Sequence, residues 1–185
     1  LALTEEVPGV GWSIAAPVVP DRAGRGGGGG GLANGLVRLE VEPDDGTWSV
    51  DGLAGLGRLD GGGDVGDTYN WCPPEVDVVV DRAAAVTVTC TESGPVRGVV
   101  VIDARYELPA GESVDEQGRS TRSDDLVTQQ IRTTLELRAG EPFVRVTVEA
   151  DQRARDHRLR VHLPLPRRTD HSLAECAYAQ VRRPL

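Results

Sequence analysis

Apolar and polar side chains alternate strictly along much of this sequence, and that alternation leaves the chain few ways to fold. Val37, Leu39 and Val41 alternate with Arg38, Glu40 and Glu42, and Val86, Val88 and Cys90 with Thr87, Thr89 and Thr91. Ile131, Thr133, Leu135 and Leu137 stand against Arg132, Thr134, Glu136 and Arg138. Val144, Val146 and Val148 oppose Arg145, Thr147 and Glu149; Leu159, Val161 and Leu163 oppose Arg158, Arg160 and His162. A period of two puts the two sets on opposite faces of an extended strand. No segment sustains a 3.6-residue apolar period, which excludes helix as the main element. The expected fold is all-β: two antiparallel sheets packed face to face as a β-sandwich, with Val37, Leu39, Val41, Val144, Val146 and Val148 turned inward.

The breaks between these runs carry turn chemistry. Pro43-Asp-Asp-Gly46 leads into a return strand from Thr47 to Val50, and Ser93-Gly94-Pro95 into a long strand from Val96 to Leu108. Ala139-Gly-Glu-Pro142 makes a tight connection. Val76, Val78 and Val80 alternate with Asp77 and Asp81 as a further strand. Residues 109–124, rich in Gly, Ser and Asp, read as a mobile hairpin loop.

The first 31 residues are of another kind. One strand, Val10 to Val18, reads as the end of a preceding domain over residues 1–23. Residues 24–31, with six glycines in a row from Gly26, read as a flexible linker, since such a run has no side chains to pack. No Lys-Ser/Thr and no strand–loop–helix context follows it, so it is not a phosphate-binding loop. The β-domain then occupies residues 32–185. The sequence contains no Met, which suggests a piece of a longer chain.

Charge and cysteine content narrow the partners. A net charge of −9 argues against nucleic acid and against an anionic membrane surface. No apolar run approaches the roughly 20 residues that span a bilayer. Cys72, Cys90 and Cys176 stand far apart without metal-ligand spacing, which favours reduced, structural thiols in a cytoplasmic protein.

One stretch departs from the scaffold pattern: Asp60-Gly-Gly-Gly-Asp-Val-Gly-Asp-Thr-Tyr-Asn-Trp-Cys-Pro-Pro74. Its glycines and closing prolines mark a loop. Aromatic residues are only 4% of the chain, so Tyr69 and Trp71 beside Asp64, Asp67 and Asn70 stand out. Flat rings that cover the C–H face of a sugar, with carboxylates and amides that pair its hydroxyls, are what a carbohydrate site needs. A surface turn that tucks Tyr69 and Trp71 into the core is the competing reading. Calcium on Asp60, Asp64 and Asp67 is the weaker one, because the spacing does not match an EF-hand loop. His157 and His162, five apart, face opposite ways in a strand, which speaks against a shared metal. His171 lies in a Pro/Arg-rich loop. No self-contained catalytic set is present.

Several stretches together carry a resemblance. They are Asn34-Gly-Leu-Val-Arg-Leu-Glu-Val41, Asp45-Gly-Thr-Trp-Ser-Val-Asp-Gly52, Gly66-Asp-Thr-Tyr-Asn70 and Glu92-Ser-Gly-Pro-Val-Arg97. Glu141-Pro-Phe-Val-Arg-Val146 and Asp156-His-Arg-Leu-Arg-Val-His-Leu-Pro164 complete the set. In this order and spacing, residues 32–185 resemble the C-terminal β-domain of glycoside hydrolase family 38 α-mannosidases. The resemblance implies a sandwich related to the galactose-mutarotase fold, packed on an N-terminal barrel that holds zinc and the nucleophile of a retaining mechanism. It implies no zinc ligand and no catalytic residue within this chain. It does imply a substrate-binding tyrosine, which falls on Tyr69, with Asp67 and Asn70 as neighbours. The implied partners are a mannose-containing glycan and the barrel of the same chain; homo-oligomerisation is left open. Gln152 stands where the family often has Asn, and Arg158 and Arg160 are taken as structural. A free-standing carbohydrate-binding or mutarotase-like module is the alternative. A mutarotase needs a paired general acid and base, and His157, His162 and His171 offer no convincing pair.

Overall fold

The computed structural model describes residues 30–184, and among these there is no helix, only strand, turn and irregular chain. The expected strand Val10 to Val18 and residues 24–29 of the glycine-rich linker lie outside the described residues. Gly31 already bridges onto the first sheet, and a side chain at Gly30 would meet Val88.

Two four-stranded sheets form the frame. The first runs in order β1 (Leu32–Ala33), β2 (Arg38–Val41), β3 (Trp48–Val50) and β4 (Leu53–Leu56). The second comprises β6 (Ala85–Ser93), β7 (Arg97–Pro109), β10 (Leu126–Arg138) and β11 (Arg145–Ala150), ordered β11–β10–β7–β6. Every pairing within both sheets is antiparallel. Three ribbons accompany them. The strand β5 (Arg58–Gly63) pairs with β12 (His157–His162), β8 (Glu112–Val114) with β9 (Ser120–Arg122), and β13 (His171–Cys176) with β14 (Ala179–Pro184). The expected all-β sandwich is present, with the ribbons as an addition to it.

The alternation explains the core. Leu39 and Val41 of β2, with Val37, Trp48 and Leu56, pack against Val100, Ile102, Leu135 and Leu137 of the second sheet. Leu59, Ala104, Tyr106, Leu108, Ile131 and Ala154 form a second cluster toward the other end of β7 and β10. Cross-strand chemistry on the outer face agrees with the register. Arg132 lies opposite Asp103 and donates to it at 2.7 Å, and Thr128 opposite Glu107 donates at 2.9 Å. Such exposed pairs contribute little stability but fit one register only. Buried Asn34 joins the sheets: its Nδ2 donates to the carbonyls of Arg138 and Glu141 at 2.6 and 2.7 Å, and its Oδ1 accepts from the N–H of Leu36 and Val37.

Five expectations need correction. Asp60 to Gly63 is not loop but part of β5, and it is buried. Glycine is needed there because the chain passes so close: a Cβ on Gly63 would lie 2.5 Å from Pro74 Cδ. Residues 109–124 do hold the expected hairpin, but its arms are the paired strands β8 and β9, and Arg122 at the end of β9 is buried. Val76 to Val80 makes only isolated bridges, and Val78 and Val79 are exposed. Val144 is partly buried against the first core, but Val146 and Val148 are 43% and 39% exposed. They share a face with Leu135 and Thr133, their partners on β10, yet β11 is the edge strand and the smaller sheet does not reach over it. In β12, Leu159 packs on the second core while Val161 is exposed, as is Leu163 just beyond it.

Cys72, Cys90 and Cys176 are unpaired, but all three are exposed, so they do not pack as core thiols. No helix long and apolar enough to cross a membrane occurs among the described residues.

Candidate functional site

The chain leaves the buried end of β5 at Gly63 and returns at Pro73, and the segment between is closed at its base. Val65 N–H donates to the Cys72 carbonyl at 2.8 Å, and Asp64 N–H to the Asp156 carbonyl at 3.0 Å. The Asp64 carboxylate accepts from the N–H of Cys72 at 3.0 Å and of Gly66 at 3.3 Å. Gly66 must lack a side chain, since a Cβ there would collide with the Asn70 carbonyl. Trp71 fixes the far limb. Its indole Nε1–H donates to the Gly63 carbonyl at 3.2 Å, and its ring faces the Arg158 guanidinium at 4.7 Å, an attraction of about 0.5–1 kcal/mol at such exposure.

Tyr69 sits at the tip and is 90% exposed. The Asp67 Oδ1 accepts from the N–H of Tyr69 at 2.8 Å and of Asn70 at 2.9 Å, and so shapes the turn that presents both side chains. The Tyr69 and Asn70 N–H groups hold the Asp67 carboxyl below the usual carboxylate range. It is therefore ionised at neutral pH. Among the described residues no hydrogen bond engages the Tyr69 hydroxyl, the Asn70 side chain or the second Asp67 oxygen. The three residues singled out from the sequence thus stand together on one hydrogen-bonded turn. Neither ring is in the core, although Trp71 is tied to the base of the loop.

Beneath the loop lies a buried polar cluster that the sequence pattern did not reveal. The Arg122 side chain is 1% exposed. Its Nη1 stands 3.7 Å from Asp77 Oδ1, and its Nη2 donates to the Pro109 carbonyl at 3.4 Å and lies 3.3 Å from His157 Nδ1. Arginine offers donors only, so His157 Nδ1 accepts and this imidazole is neutral. Asp77 also accepts the Gly63 N–H at 2.9 Å, tying the cluster to the loop's origin. Burial first, then the Arg122 charge, pushes the His157 pKa below its usual value, with Asp77 opposing. On the other side of the ribbon, buried Asp60 accepts from Arg160 Nε at 2.9 Å and pairs with His162 Nε2. Burial raises its pKa, but the bonds from Arg160 and His162 outweigh this and hold it low.

These positions separate the chemistries. Asp60 is engaged by Arg160 and His162, Asp64 by two backbone N–H groups and Asp67 by two others, so the three do not converge as a calcium site would require. His157 and His162 serve different clusters, and His171, expected in a loop, is the first residue of β13 and lies with Asp170 and Arg182. Among the described residues no three His, Cys, Asp or Glu side chains are grouped to hold a metal ion.

The depressed pKa values of buried His157 and Asp60 predict acid lability in two stages. His157 is neutral in the folded protein, so stability is complete above its unfolded pKa of about 6.5 and falls as the pH drops below it, because only the unfolded chain takes up the proton. Asp60 adds a second loss below about pH 3.9, as the pH falls toward its lowered folded value. Urea midpoints measured against pH should show both stages, and His157→Gln should remove the upper one alone. An upper stage that persists in His157→Gln would assign it to another group.

No protein-family model matches this sequence, and no curated protein matches it. Solved structures do. The fold aligns with an α-mannosidase from Enterococcus faecalis V583 at a TM-score of 0.77 and 20% identity, covering 88% of this chain and 20% of that one. A glycosyl hydrolase family 38 protein from Enterococcus faecalis aligns at a TM-score of 0.76 and 20% identity, over 88% of this chain and 22% of its own. The chain thus spans about a fifth of the length of these neighbours. At this identity the likeness establishes the fold: a β-sandwich that forms one part of a much longer chain in each of them.

Proposed function

We propose that this chain is the β-sandwich part of a retaining α-mannosidase of family 38, and that its Asp64–Cys72 loop completes the sugar site of the whole enzyme. The observation that carries the reading is Tyr69: an almost fully exposed ring and an unengaged hydroxyl on a turn that its own hydrogen bonds hold rigid. An exposed tyrosine on a mobile tail would orient nothing; one on a closed loop can. In this reading the phenol ring lies against the C–H face of a mannosyl unit and its hydroxyl makes one hydrogen bond, with Asn70 and the free Asp67 oxygen beside it. The bond-breaking groups, a carboxylate nucleophile and a second carboxyl as acid/base, belong to the barrel, as does the zinc. In this reading the part of this chain is binding and orientation. A cytoplasmic setting belongs to the same reading, since the three cysteines are unpaired.

The free-standing mutarotase alternative finds no support in the histidines. His157 is enclosed against Arg122, and the Asp60 carboxylate that pairs with His162 is buried and also engaged by Arg160.

The test is Tyr69→Phe in the protein that joins this chain to its barrel, with an aryl α-mannoside as substrate. Turnover should fall about 5- to 150-fold, the equivalent of about 1–3 kcal/mol of oriented hydrogen bonding. The urea midpoint should stay unchanged, because nothing in the fold rests on that hydroxyl. The chain alone, with or without zinc, is the inactive control. Unaltered kinetics in Tyr69→Phe, or turnover by the chain alone, would overturn the proposal.

A further inference from the structure

A second concavity lies away from the Tyr69 loop and is assembled from four separate segments. The β2–β3 turn supplies Asp44, Asp45 and Thr47, the start of β5 supplies Leu59, the connection before β6 supplies Asp81 and Arg82, and β7 supplies Tyr106. It encloses about 500 Å³, within the size range of small-molecule sites. It uses the opposite end of β5 from Gly63, roughly 15 Å along that strand at about 3.3 Å per residue.

Its floor carries a phenol. Tyr106 is only 5% exposed and belongs to the second core cluster, yet no hydrogen bond engages its hydroxyl among the described residues. The ring is what is buried: the hydroxyl is not among the buried atoms without a partner, so it reaches the cleft and is open to a ligand or to water. Here burial, then Asp45 and Asp81, raise its pKa, so it remains a protonated donor facing the cleft. Asp45 spends one oxygen on Thr47, through the N–H at 2.8 Å and the hydroxyl at 2.7 Å. Asp81 is loosely paired with Arg58 at 3.7 Å. Leu59, buried in the same cluster as Tyr106, supplies apolar wall.

This lining selects its ligand by elimination. A cation would meet two guanidinium groups and an anion three carboxylates. A metal ion is disfavoured as well, since no three acidic or imidazole side chains are grouped closely enough to hold one among the described residues. A neutral polyol fits: its hydroxyls donate to carboxylates and accept from guanidinium and phenol groups, and its C–H face can lie on Leu59 and the tyrosine ring. We infer that the cleft floored by Tyr106 and walled by Asp44, Asp81 and Arg82 is a second, non-catalytic site for a neutral saccharide. The assignment rests on the cleft's own chemistry and not on the mannosidase reading.

The test is a ¹H–¹⁵N NMR titration of the protein with an α-linked mannotriose, with calcium chloride and sodium phosphate in parallel. Saccharide should shift the amides of Thr47, Leu59, Ala83 and Tyr106 with a dissociation constant in the millimolar range. Tyr106→Phe should weaken that response about tenfold, the loss of one hydrogen bond. The exposed substitution Asp81→Asn should weaken it without disturbing the core. Absent shifts at those amides, or shifts that both variants leave unchanged, would overturn the inference. So would a response to calcium or phosphate with none to saccharide. A response confined to Asp67–Asn70 would overturn it too, while supporting the loop as a sugar contact.

Discussion

Asp77→Ala should lower the unfolding free energy by about 3–5 kcal/mol, the usual cost of breaking a buried ion pair from one side. Asp77 is the carboxylate that faces the Arg122 guanidinium, and it also accepts the Gly63 N–H. Without it, Arg122 keeps a full charge at 1% exposure, with only the Pro109 carbonyl and neutral His157 to receive its hydrogens. Two of its nitrogens, Nε and Nη1, already lack a hydrogen-bond partner among the described residues. Most of the loss is therefore the stranded cation and not the vanished attraction. Adding Arg122→Met to Asp77→Ala should recover much of it, because an apolar side chain of similar length needs no counter-charge. Urea denaturation of the single and double variants checks both parts. A single-variant loss below about 1 kcal/mol would mean that the pair behaves as a solvated surface contact.

Leu135→Ala should cost about 2–5 kcal/mol by the same measurement, through lost burial and the cavity left behind. Leu135 is fully buried between the two sheets, among Leu39, Val100 and Leu137. Its neighbour across β10 and β11 is the control. Val146 points to the same side but is 43% exposed, so Val146→Ala should change stability by roughly 0.5 kcal/mol or less. Equal losses at the two positions would mean that β11 is covered in solution.

That pair also marks how far a two-residue period can be read. Alternation states which side of a strand a residue faces, and it located β2, β6, β10 and β11 and the core residues Val37, Leu39 and Val41, while the Ser93-Gly94-Pro95 turn located β7. It says nothing of whether another layer covers that side, which is why Val146 and Val148 were expected inward and are not buried. The strand β5 escaped notice for a different reason. Its Gly61-Gly-Gly63 end has no side chains to show a pattern, and closeness to Pro74, a tertiary fact, is what requires glycine there. Arg122 was invisible in the same way, because burial of a guanidinium depends on Asp77 and His157, 45 and 35 residues away. The candidate loop stood out because Tyr69 and Trp71 sit beside Asp64, Asp67 and Asn70 in a chain that is only 4% aromatic, and its turn does leave Tyr69 exposed. What shaped the turn, the Asp67 carboxylate capping two N–H groups, is local enough to follow from spacing.

The β13–β14 ribbon has a mechanical consequence. Each of its strands is six residues long, and among the described residues the two strands pair only with each other. At about 3.3 Å per residue it is an arm roughly 20 Å long, and the irregular chain before His171 is where it would hinge. A tilt of about ten degrees at that hinge carries the tip, with Tyr178, through roughly 3.5 Å. Chemistry tolerates about 0.5 Å of misplacement, so such an arm can sweep or feel for a surface but cannot aim a group at one. A loop barely ten residues around and bonded across its own neck, like Asp64 to Cys72, has almost no lever to tilt.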